Sequence, residues 1–201
     1  MKFTTLNGPL TIEVLMAEIH VMSPKRFPYL IAIDGRGGSG KSTLASLIQA
    51  ACPGSAVIHM DDFHFPSSQR IQLPPSQKQI GADYDWKRLF FQVLQPLSEG
   101  MEAKYQRYDW DKDALAEWHV VPSDCLVIVE GTYSTRKELA WLYNFTVWVE
   151  CPRDRRLERG LERDGEEARQ MWEDNWMIQE DLYVESQKPQ ERTNLVVDGT
   201  C

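Results

Sequence analysis

The stretch Tyr29-Leu-Ile-Ala-Ile33-Asp34-Gly35-Arg36-Gly37-Gly38-Ser39-Gly40-Lys41-Ser42-Thr43-Leu44-Ala45 carries three kinds of residue in succession. Residues 29–33 form an apolar run with no polar break. Such a run reads as a strand buried on both faces, the habit of parallel sheets. Glycines follow at once, and Thr43-Leu-Ala-Ser-Leu-Ile-Gln-Ala then offers good helix formers. Residues 35–42 fit G-x-x-x-x-G-K-[ST] between a strand and a helix, the context in which that spacing grips phosphate.

The chemistry explains the spacing. Gly35, Gly37, Gly38 and Gly40, with Ser39, let the backbone curl so that its N–H groups point at an anion. Lys41 reaches the β- and γ-phosphates, and the Ser42 hydroxyl meets magnesium. Ser42 and Thr43 open a helix whose positive end faces the same anion. ATP and Mg2+ are the expected cofactors.

Around this loop the pattern alternates. A leading helix is expected over 10–21, from Leu10, Val14, Leu15 and Ile19, with Pro24 and Pro28 ending it. Strands are expected at 56–60, 126–129, 145–149 and 195–197, and a strand pair at 101–108 and 116–121. Helices are expected at 86–97, 153–163 and 166–183. Residues 66–79, rich in proline and glutamine, read as a loop. Strands alternating with helices predict an α/β fold with a mainly parallel sheet.

The 201 residues suffice for one domain over 1–201. A net charge of -8 argues against a nucleic-acid partner, whose phosphates need basic surface. No apolar run is long enough to span a membrane, and MKFTTLNGPL lacks a secretory core. The spacing of Cys52, Cys125, Cys151 and Cys201 suits neither zinc nor a C-x-x-C pair. Free thiols and a cytoplasmic location are expected.

Acids fall at the predicted strand ends, where open parallel sheets bind ligands. Asp61 and Asp62 follow the 56–60 strand, and Glu130 follows the 126–129 strand. A kinase needs a carboxylate to take the proton of the accepting hydroxyl, and Asp61 is the candidate. Glu130 is placed to hold magnesium with Ser42. Each acid can also be read as a helix cap or a solvated strand end, Asp85 above all as a cap, since it precedes a helix. His59 and His64 flank the aspartates without a recognised metal spacing, His64 as a pocket-wall or loop residue. Arg155, Arg159 and Arg163 recur every fourth residue and share a helix face. A solvated, salt-bridged face is one reading. The other is a lid over 153–183 that brings Arg159 and Arg163, with Arg156 beside them, onto the transferring phosphate. Trp172 and Trp176 read as a packing stripe, with stacking on a substrate base as the alternative.

Four segments taken in order give the chain a likeness. IAIDGRGGSGKSTLA (31–45), HMDDFHFP (59–66), VIVEGTY (127–133) and RRLERGLERD (155–164) together resemble the uridine kinase, nicotinamide riboside kinase and phosphoribulokinase group of P-loop kinases. YDW at 84–86 and at 108–110 resembles two shorter segments of that group. The resemblance implies a P-loop NTPase fold with a helical lid and an acceptor-binding insertion over about 63–122. It implies that Asp61 activates a 5′-hydroxyl and that Asp85 binds ribose hydroxyls. Asp62, Tyr108 and Asp109 would belong to the acceptor pocket, and Arg159 and Arg163 to the lid. After Tyr108 the chain reads Asp-Trp-Asp-Lys-Asp, with no histidine where pyrimidine nucleoside kinases of this group carry one; His119 comes later. The expected reaction is transfer of the γ-phosphate of ATP to a small-molecule hydroxyl, a nucleoside foremost. Nicotinamide riboside, pantothenate and sugar phosphates stay open as acceptors, and a nucleotide-dependent switch is the further alternative.

Overall fold

In the computed structural model, residues 3–5, 8–22 and 28–200 are described. Strands are β1 (Phe3–Thr5), β2 (Gly8–Leu10), β3 (Tyr29–Asp34), β4 (Ala56–His59), β5 (Ala103–Asp109), β6 (Ala114–Val121), β7 (Leu126–Glu130), β8 (Phe145–Glu150) and β9 (Leu195–Asp198). Helices are α1 (Ile12–Met22), α2 (Lys41–Ala51), α3 (residues 86–98), α4 (Arg153–Asp164) and α5 (residues 169–187). Helices α3 and α5 each widen into a π turn, at Phe90–Leu94 and Trp172–Trp176.

Seven strands form one sheet in the order β2-β1-β9-β8-β3-β7-β4. Its centre is parallel, and β1 runs antiparallel to both β2 and β9. The hairpin of β5 and β6 stands apart as its own small sheet.

The unbroken apolar run of β3 has its explanation here. Successive side chains of a strand point to opposite faces. Leu30 and Ala32 enter one core with Ile58, Val127 and Val129, closed by α3 and the hairpin. Tyr29, Ile31 and Ile33 enter a second core with Leu126 and Ile128, closed by α1 and α2. Burying one such side chain is worth about 1.5–3 kcal/mol, so both faces stabilise the sheet.

The leading helix starts two residues later than its periodicity predicts, because Leu10 pairs with Phe3 in β2. Thr11 caps it: its hydroxyl accepts the Val14 N–H at 3.3 Å. Pro24 and Cys201 lie outside the described residues, whereas Cys52, Cys125 and Cys151 are free. No helix among the described residues is long and apolar enough to cross a membrane.

Candidate active site

Parallel register builds the first half of the site. Ile33 pairs with Glu130, and Glu130 with His59, so the carboxyl ends of β3, β7 and β4 lie side by side. The phosphate loop leaves β3 there and enters α2. Gly38 takes φ 73°, and a Cβ on it would strike the Arg156 carbonyl, so only glycine suits that corner. Lys41 is buried and donates from Nζ to the Arg36 carbonyl at 2.9 Å. Ser42 Oγ donates to Glu130 Oε1 at 3.1 Å, and His59 Nδ1 lies 2.6 Å from that oxygen. Burial of Glu130 acts to raise its pKa, but His59, Lys41 and Ser42 outweigh it and hold the carboxyl below the usual range. The hydrogen bond to Glu130 in turn raises the His59 imidazole.

A single-turn helix, Met60–Phe63, carries Asp61 to the cavity edge. The Tyr84 hydroxyl donates to Asp61 Oδ1 at 3.2 Å. Aromatic rings line this end. His64 lies 4.9 Å from Tyr84 and 4.6 Å from Trp110, and Tyr84 lies 5.4 Å from Tyr133. Burial lowers the His64 pKa, so its imidazole is neutral at pH 7. Asp83 shares this wall, with both its oxygens 2.9 Å from Lys78 Nζ.

Helices α4 and α5 close the third side. Arg159 donates to the carbonyls of Gly38, Gly199 and Thr200. Arg163 forms a two-pronged pair with Asp164, at 2.7 and 2.9 Å. Trp172 packs edge-to-face with Trp176 at 5.3 Å and lies so close to Gly160 that a Cβ there would collide with its ring. Glu180 accepts the Gly37 N–H at 2.8 Å through one oxygen and Arg156 Nη1 at 3.1 Å through the other. The neighbouring Asp181 takes Arg36 Nε at 3.0 Å. Two successive acids of α5 thereby grip two successive residues of the phosphate loop.

These walls enclose a cavity of about 570 Å3, within the range of small-molecule sites. Gly37, Gly38, Gly40, Lys41, Ser42 and Thr43 line it, as do Asp61, Glu130, Arg159 and Arg163. The other expected site residues do not line it. Gly35 and Ser39 lie behind the loop surface. Asp62 is buried, accepts the Tyr105 hydroxyl at 3.0 Å and is raised in pKa by that burial. Asp85 caps α3, accepting the Arg88 N–H at 3.0 Å. The Tyr108 hydroxyl bonds Asp113. Asp109 folds over its own turn, accepting the N–H groups of Asp111 and Lys112 at 3.1 Å.

A model of the Phosphoribulokinase / Uridine kinase family matches residues 30–197. The chain belongs to this family. A uridine kinase of Ureaplasma parvum serovar 3 is 28% identical over 156 residues, 73% of either chain. Among solved structures, a possible uridine kinase from Bacillus stearothermophilus superposes with a TM-score of 0.72 at 22% identity, covering 92% of this chain and 96% of that one. D-glycerate 3-kinase from Cryptococcus neoformans superposes with a TM-score of 0.51 at 12% identity, covering 90% of this chain and 84% of that one. At these identities the two structures share the fold alone, and a fold does not choose an acceptor.

As a member of the phosphoribulokinase/uridine kinase family, the protein is an ATP-dependent kinase with a P-loop NTPase fold. Its donor set fits the cofactors. The hydroxyl of Ser42 and the carboxylate of Glu130 are hard oxygen ligands 3.1 Å apart, the kind magnesium takes alongside substrate phosphates and water. Among the described residues no cluster of three or more His, Cys, Asp or Glu could hold a metal by itself. Sequence reasoning missed Glu180, Tyr133 and the His59–Glu130 contact. Glu180 carries no motif signal because it works from a helix 143 residues beyond Gly37. The His59 contact follows only from strand register.

Proposed function

We propose that this kinase transfers the γ-phosphate of ATP to the hydroxyl of an uncharged, nucleoside-like acceptor, with magnesium held at Ser42 and Glu130. The observation that carries the reading is the character of the acceptor end. Asp61 and Asp83 line it together with the rings of His64, Tyr84 and Trp110. The cations of the cavity, Lys41, Arg159 and Arg163, belong to the phosphate loop and to α4. Lys78, behind Asp83, is already paired. An acceptor that carries a phosphate or carboxylate faces the Asp61 carboxylate there with no unpaired cation beside it among the described lining residues, whereas a flat neutral ring finds aromatic faces to stack on.

In the reaction the acceptor hydroxyl lies against Asp61, which takes its proton as the oxygen attacks the γ-phosphorus. The bond from that phosphorus to the β-bridging oxygen breaks, and ADP leaves. Lys41 and the loop N–H groups stabilise the charge on the transferring group. Magnesium, when bound, neutralises phosphate charge beside Ser42 and Glu130. Arg159 and Arg163 act from α4 as the lid, within residues 153–183. Residues 63–122 supply His64, Asp83, Tyr84 and Trp110 of the acceptor wall. Tyr108 supports that wall from behind through ring contacts with His64 and Trp110, while Asp62, Asp85 and Asp109 hold their own segments through the hydrogen bonds described above.

The test is ADP release with magnesium ATP across uridine, cytidine, nicotinamide riboside, other nucleosides, pantothenate and sugar phosphates. Turnover on a nucleoside well above that on every anionic acceptor is expected. Turnover confined to pantothenate or a sugar phosphate overturns the acceptor class and leaves the kinase assignment standing.

A further inference from the structure

Asp34 ends β3 directly before the phosphate loop, and its side chain is fully buried. It makes no contact with the cavity, yet it gathers donors from three segments that do. The Gly35 N–H of the phosphate loop reaches Oδ1 at 2.7 Å. The Tyr133 N–H reaches the same oxygen at 3.1 Å, and Thr135 reaches Oδ2 with its N–H at 2.8 Å and its hydroxyl at 2.6 Å. The Tyr183 hydroxyl of α5 completes the set at 2.7 Å. All these partners donate, and a carboxylate is the side chain that only accepts.

Tyr133 is the residue this arrangement serves. Its φ is 74°, a left-handed conformation that a bulky side chain adopts only when its surroundings force it. That conformation lays the ring in the cavity wall, against Tyr84 at 5.4 Å and Tyr183 at 4.9 Å. Tyr84 in turn donates to Asp61. A continuous set of contacts therefore leads from a buried carboxylate to the acceptor end.

We propose that Asp34 is a positioning residue for the acceptor wall: its carboxylate holds Tyr133 in the left-handed conformation and ties that wall to the phosphate loop and to α5. This use of the wall rests on the acceptor reading given above. The role Asp34 plays toward Tyr133 does not.

The test is a double-mutant cycle with two readouts. Asp34→Asn turns one acceptor into an N–H2 group facing donors. Tyr133→Gly places at φ 74° a residue that needs no holding. In the natural background Asp34→Asn is expected to raise the acceptor KM about tenfold or more, with a smaller change in the KM for ATP. In the Tyr133→Gly background it adds less than about twofold to the acceptor KM. Tyr183→Phe, which removes one donor and no bulk, moves the acceptor KM in the same direction by a smaller factor. The second readout needs no acceptor: amide hydrogen exchange over residues 131–136 accelerates in Asp34→Asn while that over 44–48 stays close to the natural protein. Equal KM effects in both backgrounds, or unchanged exchange over 131–136, overturn the proposal. If no acceptor in the screen is phosphorylated, the exchange measurement alone decides it.

Discussion

The Nδ1 atom of His59 lies 2.6 Å from Oε1 of Glu130, the oxygen that also accepts the Ser42 hydroxyl. Strand pairing of β4 with β7 brings them together, so the imidazole is fixed relative to the carboxylate. Outer partners of a metal-binding carboxylate set its orientation, and losing one costs about 10–100-fold in metal affinity. His59→Ala is expected to raise the magnesium concentration for half-maximal turnover by a factor in that range. An unchanged magnesium dependence would separate His59 from the metal site.

On the proposed reading Asp61 is the base and Tyr84 supplies the hydroxyl that holds it. Removing a positioned general base costs about 10²–10⁴ in rate. Asp61→Asn is expected to lose kcat on that scale while ADP binding, followed by calorimetry, stays within a few-fold. Tyr84→Phe removes only the hydroxyl that bonds Asp61 and is expected to cost less than Asp61→Asn. Near-normal turnover by Asp61→Asn would remove it as the base.

Arg156 and Glu180 form an ion pair in which the side chains are 3% and 7% exposed. Removing one partner of such a pair leaves a buried charge and costs about 3–5 kcal/mol. Arg156→Met is therefore expected to lower the melting temperature by many degrees, because Glu180 and the Gly37 N–H lose their brace. A stable variant that has lost only its rate would instead make Arg156 a lid residue.

His64 gives the fold an acid sensitivity. Burial holds its folded pKa below the usual histidine value of about 6.5, and Arg70 nearby pushes the same way, against the Phe65 carbonyl, Asp83 and Asp61. Below about pH 6.5 the unfolded chain binds a proton that folded His64 refuses. Stability therefore falls as pH drops from 7 toward 5. His59, whose pKa is raised, contributes stability in the opposite sense, present at low pH and lost as pH rises through its folded pKa. Melting temperatures of the natural protein and of His64→Asn across pH 5–7 isolate the first effect. The natural protein is expected to lose more stability on acidification than the variant, and parallel curves would contradict this.

The sequence disclosed the phosphate end well because its chemistry is local. A loop that wraps an anion must be built from neighbours in the chain, so residues 35–43 announce themselves. The α/β alternation was legible for a related reason: strands buried on both faces read as unbroken apolar runs, as residues 29–33 do. The acceptor end is assembled differently. Asp61, Tyr84, Trp110 and Tyr133 come from four separate segments, and only packing unites them. Asp85 illustrates the difficulty, since an aspartate before a helix carries the same signal whether it caps the helix or binds a sugar. Strands β1 and β2, three residues each, are too short for their alternation to register.

The two cores on opposite faces of the sheet have a consequence for how such a chain can change over time. One core anchors the hairpin, α3 and the Met60–Phe63 turn; the other anchors α1 and the helix behind the phosphate loop. The separation is partial, because Tyr183 and Val184 of α5, the helix that grips the phosphate loop, pack in the first core. A change on the acceptor side that stays clear of α5 and Asp34 therefore leaves the core behind the phosphate loop in place.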